Sequence, residues 1–228
     1  MQNKRVIWQY LSSFLTENKK QLFENVLANR TRYFTIAAED TFDERNASAL
    51  VRTAECLGIQ DVHIVNNGIT SLYKLSKGIV KGSHKWMNVH IYSQEHRNNT
   101  QVCLEVLKAQ HYQIIATTPH KEDVFLEDFD INQKAAFFFG TEQFGLSETV
   151  LKQADGFLKI PLYGFTESYN ISVAVAILLH YLTQQLRSSA VDWQLSEEEQ
   201  LDLRIEWALK CIKHGKKLLR RFLEEESS

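Results

Sequence analysis

Apolar residues recur along the chain with two different spacings, and the change from one to the other outlines the fold. From residue 4 to residue 28, RVIWQYLSSFLTENKKQLFENVLAN carries apolar positions three or four apart with a polar face between them, which predicts one or two helices. The next apolar stretches are short and nearly unbroken: YFTIAAED (33–40), DVHIV (61–65), NVHIY (88–92), YQIIATT (112–118), AAFFFG (135–140) and GFLKIPL (156–162). Each reads as a strand covered on both faces. Helical stretches lie between them. RNASALVRTAECLG (45–58) reads as a helix capped by Asn46 and ended by Gly58. Residues 98–110 have helical spacing, a helix opens near Ser147, and another runs from Asn170 to about Arg187. A glycine-punctuated helix or loop fills 68–82. This alternation predicts an α/β domain over residues 31–190, with a mainly parallel sheet and helices on both faces.

Beyond residue 190 the strand pattern ceases. SEEEQLDLRIEWALKCIKHGKKLLRRFLEEE (196–226) has helical spacing throughout, and Ser196 with Glu199 forms a capping box. The domain therefore carries helical extensions at 1–30 and 191–228.

Composition narrows the function classes. The formal net charge of −2 gives no global positive field, so any nucleic-acid contact must rest on local charge. The densest basic cluster is Lys213, His214, Lys216, Lys217, Arg220 and Arg221. It is either a solvated helical face or a phosphate-contacting patch. Cys56, Cys103 and Cys211 are far apart and read as small hydrophobes in a reducing cytosol. Neither they nor the histidines show metal-ligand spacing, so no metal is expected. The N-terminus lacks the apolar core of a signal peptide, and no apolar run reaches the ~18 residues of a membrane span. A cytoplasmic protein is expected.

Three stretches carry candidate chemistry. In the helix at 45–58, Leu50, Ala54 and Leu57 share one face and Arg52 points about 200° away from Leu50. Arg52 either pairs with Glu55 at the surface or meets a ligand. In FFFGTEQFGLSE (137–148), Gly140 and Gly145 bracket a turn at the end of a buried strand and Glu142 stands between them. Ligands of open α/β sheets bind at such ends, and glycine lets them approach the main chain. A plain strand–turn–helix connection is the alternative. In KIPLYGFTESYNISVAVAILLHYL (159–182), Glu167, Ser168 and Asn170 precede a helix apolar nearly all round. Such a helix is buried in a core or an interface, which sets its polar N-terminus deep within the protein. Ser168 and Asn170 are caps or site residues.

Together the three stretches resemble the three motifs of the SpoU branch of the knotted (SPOUT) RNA methyltransferases. The first is Asn46 to Arg52 in NASALVR, the second Gly140, Glu142 and Gly145 in GTEQFG, the third IPLYGFTESYNIS from Ile160 to Ser172. The resemblance covers residues 30–188. Tyr169 and Leu162 depart from the family's leucine and methionine. The layout is most similar to the tRNA guanosine-2′-O-methyltransferase group.

The resemblance implies a C-terminal trefoil knot, a homodimer with its sites near the interface, and S-adenosylmethionine as cofactor. It implies methyl transfer to a ribose 2′-hydroxyl, on a tRNA guanosine in the D-loop. Thr117, Gly140, Ile160, Leu162 and Tyr169 would hold the cofactor. Arg52, Asn46, Glu142, Ser168 and Asn170 would form the catalytic cluster. RNA would be met by Lys213, Lys216, Lys217, Arg220 and Arg221, and by Lys74, Lys77, Lys81 and Lys85. An rRNA 2′-O-methyltransferase, a non-catalytic RNA-binding knot protein and a flavodoxin-type nucleotide-binding domain are the alternatives.

Overall fold

The structure, a computed structural model, describes residues 2–41, 44–68, 80–119 and 124–226. These divide into two compact units, Thr31–Trp193 and a second built from both ends of the chain, Met1–Arg30 with Gln194–Ser228.

The larger unit is a seven-stranded sheet in which every pairing is parallel. Its strands are β1 (Phe34–Glu39), β2 (Asp61–Val65), β3 (Asn88–Tyr92), β4 (Gln113–Thr117), β5 (Val124–Phe125), β6 (Ala135–Phe139) and β7 (Gly156–Lys159), in the order β3-β2-β1-β6-β4-β7-β5. β1, β2 and β6 are buried at every position, as their unbroken apolar runs predict. Side chains leave the pleat alternately. Phe34, Ile36, Ala38, Phe137 and Phe139 pack on one face with Leu50 and Ala54 of α3 (Glu44–Cys56) and with Val175, Leu178 and Leu182 of a later long helix. Ala37, Ala136, Phe138 and Ile114 face the other way, against Leu104 and Leu107 of α4 (Asn99–Ala109) and Val150 of α5 (Glu148–Gln153). The long helix is α6, Ile171–Ser188.

β6 and β7 do not extend the sheet at an edge. β6 lies between β1 and β4, and β7 between β4 and β5. The strand ends at Thr117, Phe139 and Lys159 therefore come side by side where the winding changes direction, the position at which open α/β sheets leave a crevice.

The terminal unit contains α1 (Gln2–Ser12), α2 (Glu17–Leu27), α7 (Glu197–Cys211) and α8 (Gly215–Glu226). Leu11, Phe23, Leu27, Leu203 and Trp207 are buried, with the Phe23 and Trp207 rings edge-on at 5.5 Å. The Ser196–Glu199 capping box opens α7. The sequence left one or two helices open at each end. Each end forms two, and the second break falls at His214, which takes φ +62° before Gly215. Arg204 forks onto Glu24, and Lys4 meets Glu198 and Asp202, so charge as well as packing joins the two ends of the chain.

Candidate active site

β6 stops at Phe139 and the chain turns at once. The Thr141 N–H donates to the Gly145 carbonyl and the Gly145 N–H to the Thr141 carbonyl, both at 3.0 Å, so the loop closes on itself. A Cβ on Gly140 would come within 2.1 Å of the Gly145 carbonyl carbon. The expectation that a ligand keeps Gly140 small gives way to a nearer cause, the return of the loop's own backbone. Gly145, at φ +68°, completes the turn. Ser147 then caps α5 by accepting from the Val150 N–H.

Residues 160–170 form a second loop after β7. The Tyr169 hydroxyl donates to the Pro161 carbonyl at 3.2 Å and closes its neck. Asn170 caps α6 through Oδ1, which accepts from the Ser172 N–H at 3.0 Å and the Ser172 hydroxyl at 2.6 Å. Its Nδ2 donates to Glu142 Oε1 at 2.7 Å and ties the two loops together. Of the two readings the sequence left open, the structure shows the cap, and the same side chain also holds Glu142.

Between the loops lies a crevice of about 320 Å³. Thr117, Gly140, Ile160, Leu162 and Tyr169 all border it, as do Glu142 and Ser168. Leu158, Ile171 and Ala174 complete an apolar wall, and Glu142 and Glu167 add carboxylates. Apolar walls, exposed loop main chain and carboxylates suit a nucleoside-bearing cation. Glu167 borders it beside Ser168, as their neighbourhood in the third stretch suggests, whereas Phe144 and Leu158 were not singled out; an aromatic residue in the polar turn TEQFG was the available signal for Phe144.

Two expectations are corrected. Asn46 is not an N-cap, because α3 begins at Glu44 and Asn46 stands half-buried within its first turn. The start of α6 is not deep in the chain: residues 163–170 are exposed, and α6 leaves Val173 exposed and Ala176 and Ile177 half-covered. Arg52 is exposed. It does not border the crevice within one chain. With Ala49, Thr53, Cys56, Ile177 and His180 it lines a shallow groove between α3 and α6. α6 thus serves both hollows, with Ile171 and Ala174 in one and Ile177 and His180 in the other.

A separate polar cluster lies across β2 and β3. Asp61 accepts from His90 Nε2 at 2.7 Å, Arg32 Nε at 2.8 Å and Asn88 Nδ2 at 3.1 Å. Burial alone would raise its carboxyl, but His90, Arg32 and Asn88 outweigh this and hold it at about 2. His63 stacks on His90 at 4.6 Å with Nδ1 3.0 Å from the Tyr92 hydroxyl. Burial, then the neighbouring His90, push it down to about 3. Burial also pushes the Tyr92 phenol and the Cys103 thiol upward. The sequence assigned these histidines no role.

Of the basic residues, Lys213, Lys216 and Lys217 are exposed, whereas Arg221 is paired with Glu225 at 2.7 Å and Arg220 stands 4.0 Å from Glu224. Lys81 and Lys85 are exposed; Lys74 and Lys77 lie outside the described residues. Among the described residues no group of three or more His, Cys, Asp or Glu could hold a metal, and no helix is long and apolar enough to cross a membrane.

Residues 33–180 match the family model described as the SpoU rRNA Methylase family. The chain is 43% identical over 204 residues to the tRNA (guanosine(18)-2′-O)-methyltransferase of Borreliella burgdorferi, covering 90% of each chain. A crystal structure of the A. aeolicus TrmH/SpoU tRNA modifying enzyme superposes with a TM-score of 0.74 at 30% identity, over 86% of this chain and 98% of that one. The SpoU methyltransferase AviRb from Streptomyces viridochromogenes, solved in complex with AdoMet, shares the fold at a TM-score of 0.59 and 20% identity, over 72% of this chain and 62% of its own.

Proposed function

The chain belongs to the SpoU rRNA methylase family, and on that premise we propose that it methylates the ribose 2′-hydroxyl of a tRNA guanosine with S-adenosylmethionine. The observation that carries this reading is the Asn170–Glu142 hydrogen bond, which joins two loops across a crevice at the ends of β4, β6 and β7. The names of the full-length relatives support tRNA and guanosine 18, in the D-loop, as target.

The crevice fits the cofactor by its apolar wall, its loop main chain and its carboxylates. Bound there, S-adenosylmethionine supplies an electrophilic methyl group. Thr117, Gly140, Ile160, Leu162 and Tyr169 hold its nucleoside end. A 2′-hydroxyl is a poor nucleophile at neutral pH, and its proton must leave. A guanidinium does not deprotonate in proteins, so Arg52 stabilises charge developing on O2′ and clamps the neighbouring phosphate, while that phosphate or a water takes the proton. Asn46 and Asn170 orient the ribose and Arg52. Glu142 aims Asn170, and Ser168 supports the second loop.

The groove that Arg52 of α3 lines and the crevice border adjoining parts of α6, and the chain leaves an apolar stripe of that helix uncovered. A homodimer built on this stripe covers it and brings Arg52 of one protomer to the partner's crevice. The loops after β6 and β7 form the trefoil knot of the family. Lys213, Lys216 and Lys217, with Arg220 and Arg221, contact RNA phosphates, and Lys81 and Lys85 add local charge. The cysteines are unpaired, in keeping with a cytoplasmic protein.

The test is incubation with methyl-labelled S-adenosylmethionine and either total tRNA or rRNA, followed by mapping of 2′-O-methyl positions. Label at guanosine 18 of tRNA is expected. Label in rRNA alone would transfer the assignment to rRNA, and binding of tRNA without label would make the chain a non-catalytic RNA-binding protein.

A further inference from the structure

Glu39, the last residue of β1, is 2% exposed and has no part in the reaction as described so far. Its Oε2 accepts from the Ser147 N–H at 2.8 Å, and its Oε1 accepts from the Ser147 hydroxyl at 2.7 Å and the Thr100 hydroxyl at 2.5 Å. A buried carboxylate is costly unless its oxygens are filled, and these are. Capping does not require it. Ser147 already caps α5, and Asn98 caps α4 by accepting from the Gln101 N–H at 3.0 Å. A carboxylate from an interior strand thus holds donors of Ser147 and Thr100 that the two helix caps do not use.

What it reaches is the exit of the glycine loop. Ser147 follows Leu146, and the loop before it is closed by the paired Thr141–Gly145 bonds, with Gly140 packed against the Gly145–Leu146 backbone. A rigid loop pinned at Ser147 is pinned as a whole, Glu142 included. A second tie runs beside the first. Asp40, at φ +50°, accepts from the Asn67 N–H and Nδ2, and Asn67 Nδ2 also donates to Thr100. The end of β1, which leads into the segment bearing Asn46 and Arg52, is therefore locked to the loop bearing Glu142.

We propose that Glu39 is a positioning residue for methyl transfer: through Ser147 it sets the height of loop 140–146 above the sheet, and with it one wall of the cofactor crevice and the aim of Glu142 at Asn170. This rests on the reading of that crevice as the methyl-donor site.

The test is steady-state kinetics with S-adenosylmethionine and tRNA varied separately, beside melting temperatures, for wild type, Glu39→Gln, Ser147→Ala and Thr100→Val. Glu39→Gln removes the charge that both Ser147 donors share, and should raise KM for S-adenosylmethionine about tenfold with KM for tRNA unchanged. Thr100→Val removes the bonds of that hydroxyl, to Glu39 and from Asn67, and leaves both Ser147 donors on the carboxylate. It should lower the melting temperature and leave KM for S-adenosylmethionine within about twofold of wild type. A Glu39→Gln protein that melts lower yet keeps the wild-type KM reduces Glu39 to a structural role. Should Glu39→Gln fail to fold, Ser147→Ala decides: an increase of about threefold in the same KM supports the inference, and no increase overturns it. A wild-type protein that transfers no methyl group brings down the crevice reading and this inference with it, whereas normal wild-type transfer with unaltered variants sinks the inference alone.

Discussion

Asn170 ties a helix cap to the neighbouring loop through one side chain, and in the proposed reaction it also orients the ribose. Its oxygen caps α6 and its amide nitrogen holds Glu142. Replacing it by alanine removes both, so Asn170→Ala should lose about 1 kcal/mol of stability through the cap and a far larger share of kcat. Arg52 is the opposite case. It is exposed and does not border the crevice within its own chain. Arg52→Ala should lower kcat at least about a hundredfold and leave both melting temperature and S-adenosylmethionine affinity at wild-type values. Single-turnover rates beside calorimetric titration check this. Wild-type turnover in Arg52→Ala removes it from the mechanism. At this scale the sequence was informative where a residue's neighbours are local, as at Ser147, Asn170 and Ser196. It was silent on Glu39, whose partners Thr100 and Ser147 are distant in the chain, and misleading at Asn46, where the helix starts two residues earlier.

The elements follow the same division. Strands of five or six buried residues are legible because an unbroken apolar run has few other homes. β5, two residues long, has no periodicity to detect. The order of strands is not local information at all, so the insertion of β6 beside β1 and of β7 beside β4 came only with the structure. Nor did periodicity predict that α6 would keep part of its apolar surface uncovered; it shows an apolar helix but not how many surfaces one chain supplies. The β2–β3 pair carries its own prediction. His63 titrates near 6.5 when unfolded and at about 3 when folded, so between these values the unfolded chain binds the extra proton. Stability from this group is present at neutral pH and is lost as pH falls below 6.5. Asp61, held at about 2 against 3.8, adds a further loss below pH 4. From pH 7 to pH 5 the His63 contribution amounts to about 2 kcal/mol. Denaturant unfolding across that range should show it, and His63→Phe should flatten the dependence. An equally steep fall in that variant would place the acid sensitivity elsewhere.

Over the whole molecule, two things that look separate along the chain become one. The first 30 residues and the last 35 or so fold together as a helical unit, joined by Arg204–Glu24 and by the buried Phe23 and Trp207. The sequence reading kept them as two extensions, because contacts between residues almost 200 apart leave no trace in spacing. The α/β unit likewise draws its site from separate segments, and the glycine loop is where they meet. Its shape is dictated by its own backbone at Gly140, its exit is held from β1, and its Glu142 reaches α6. The claim that this loop walls a methyl-donor site is tested most directly by calorimetric titration of S-adenosylmethionine into wild-type protein and Gly140→Val. One equivalent should bind per wild-type chain, and the valine, driven into the Gly145–Leu146 backbone, should weaken binding at least about tenfold while the sheet stays folded. A wild-type chain that takes up no S-adenosylmethionine, or a valine variant that binds it as tightly as wild type, contradicts the account.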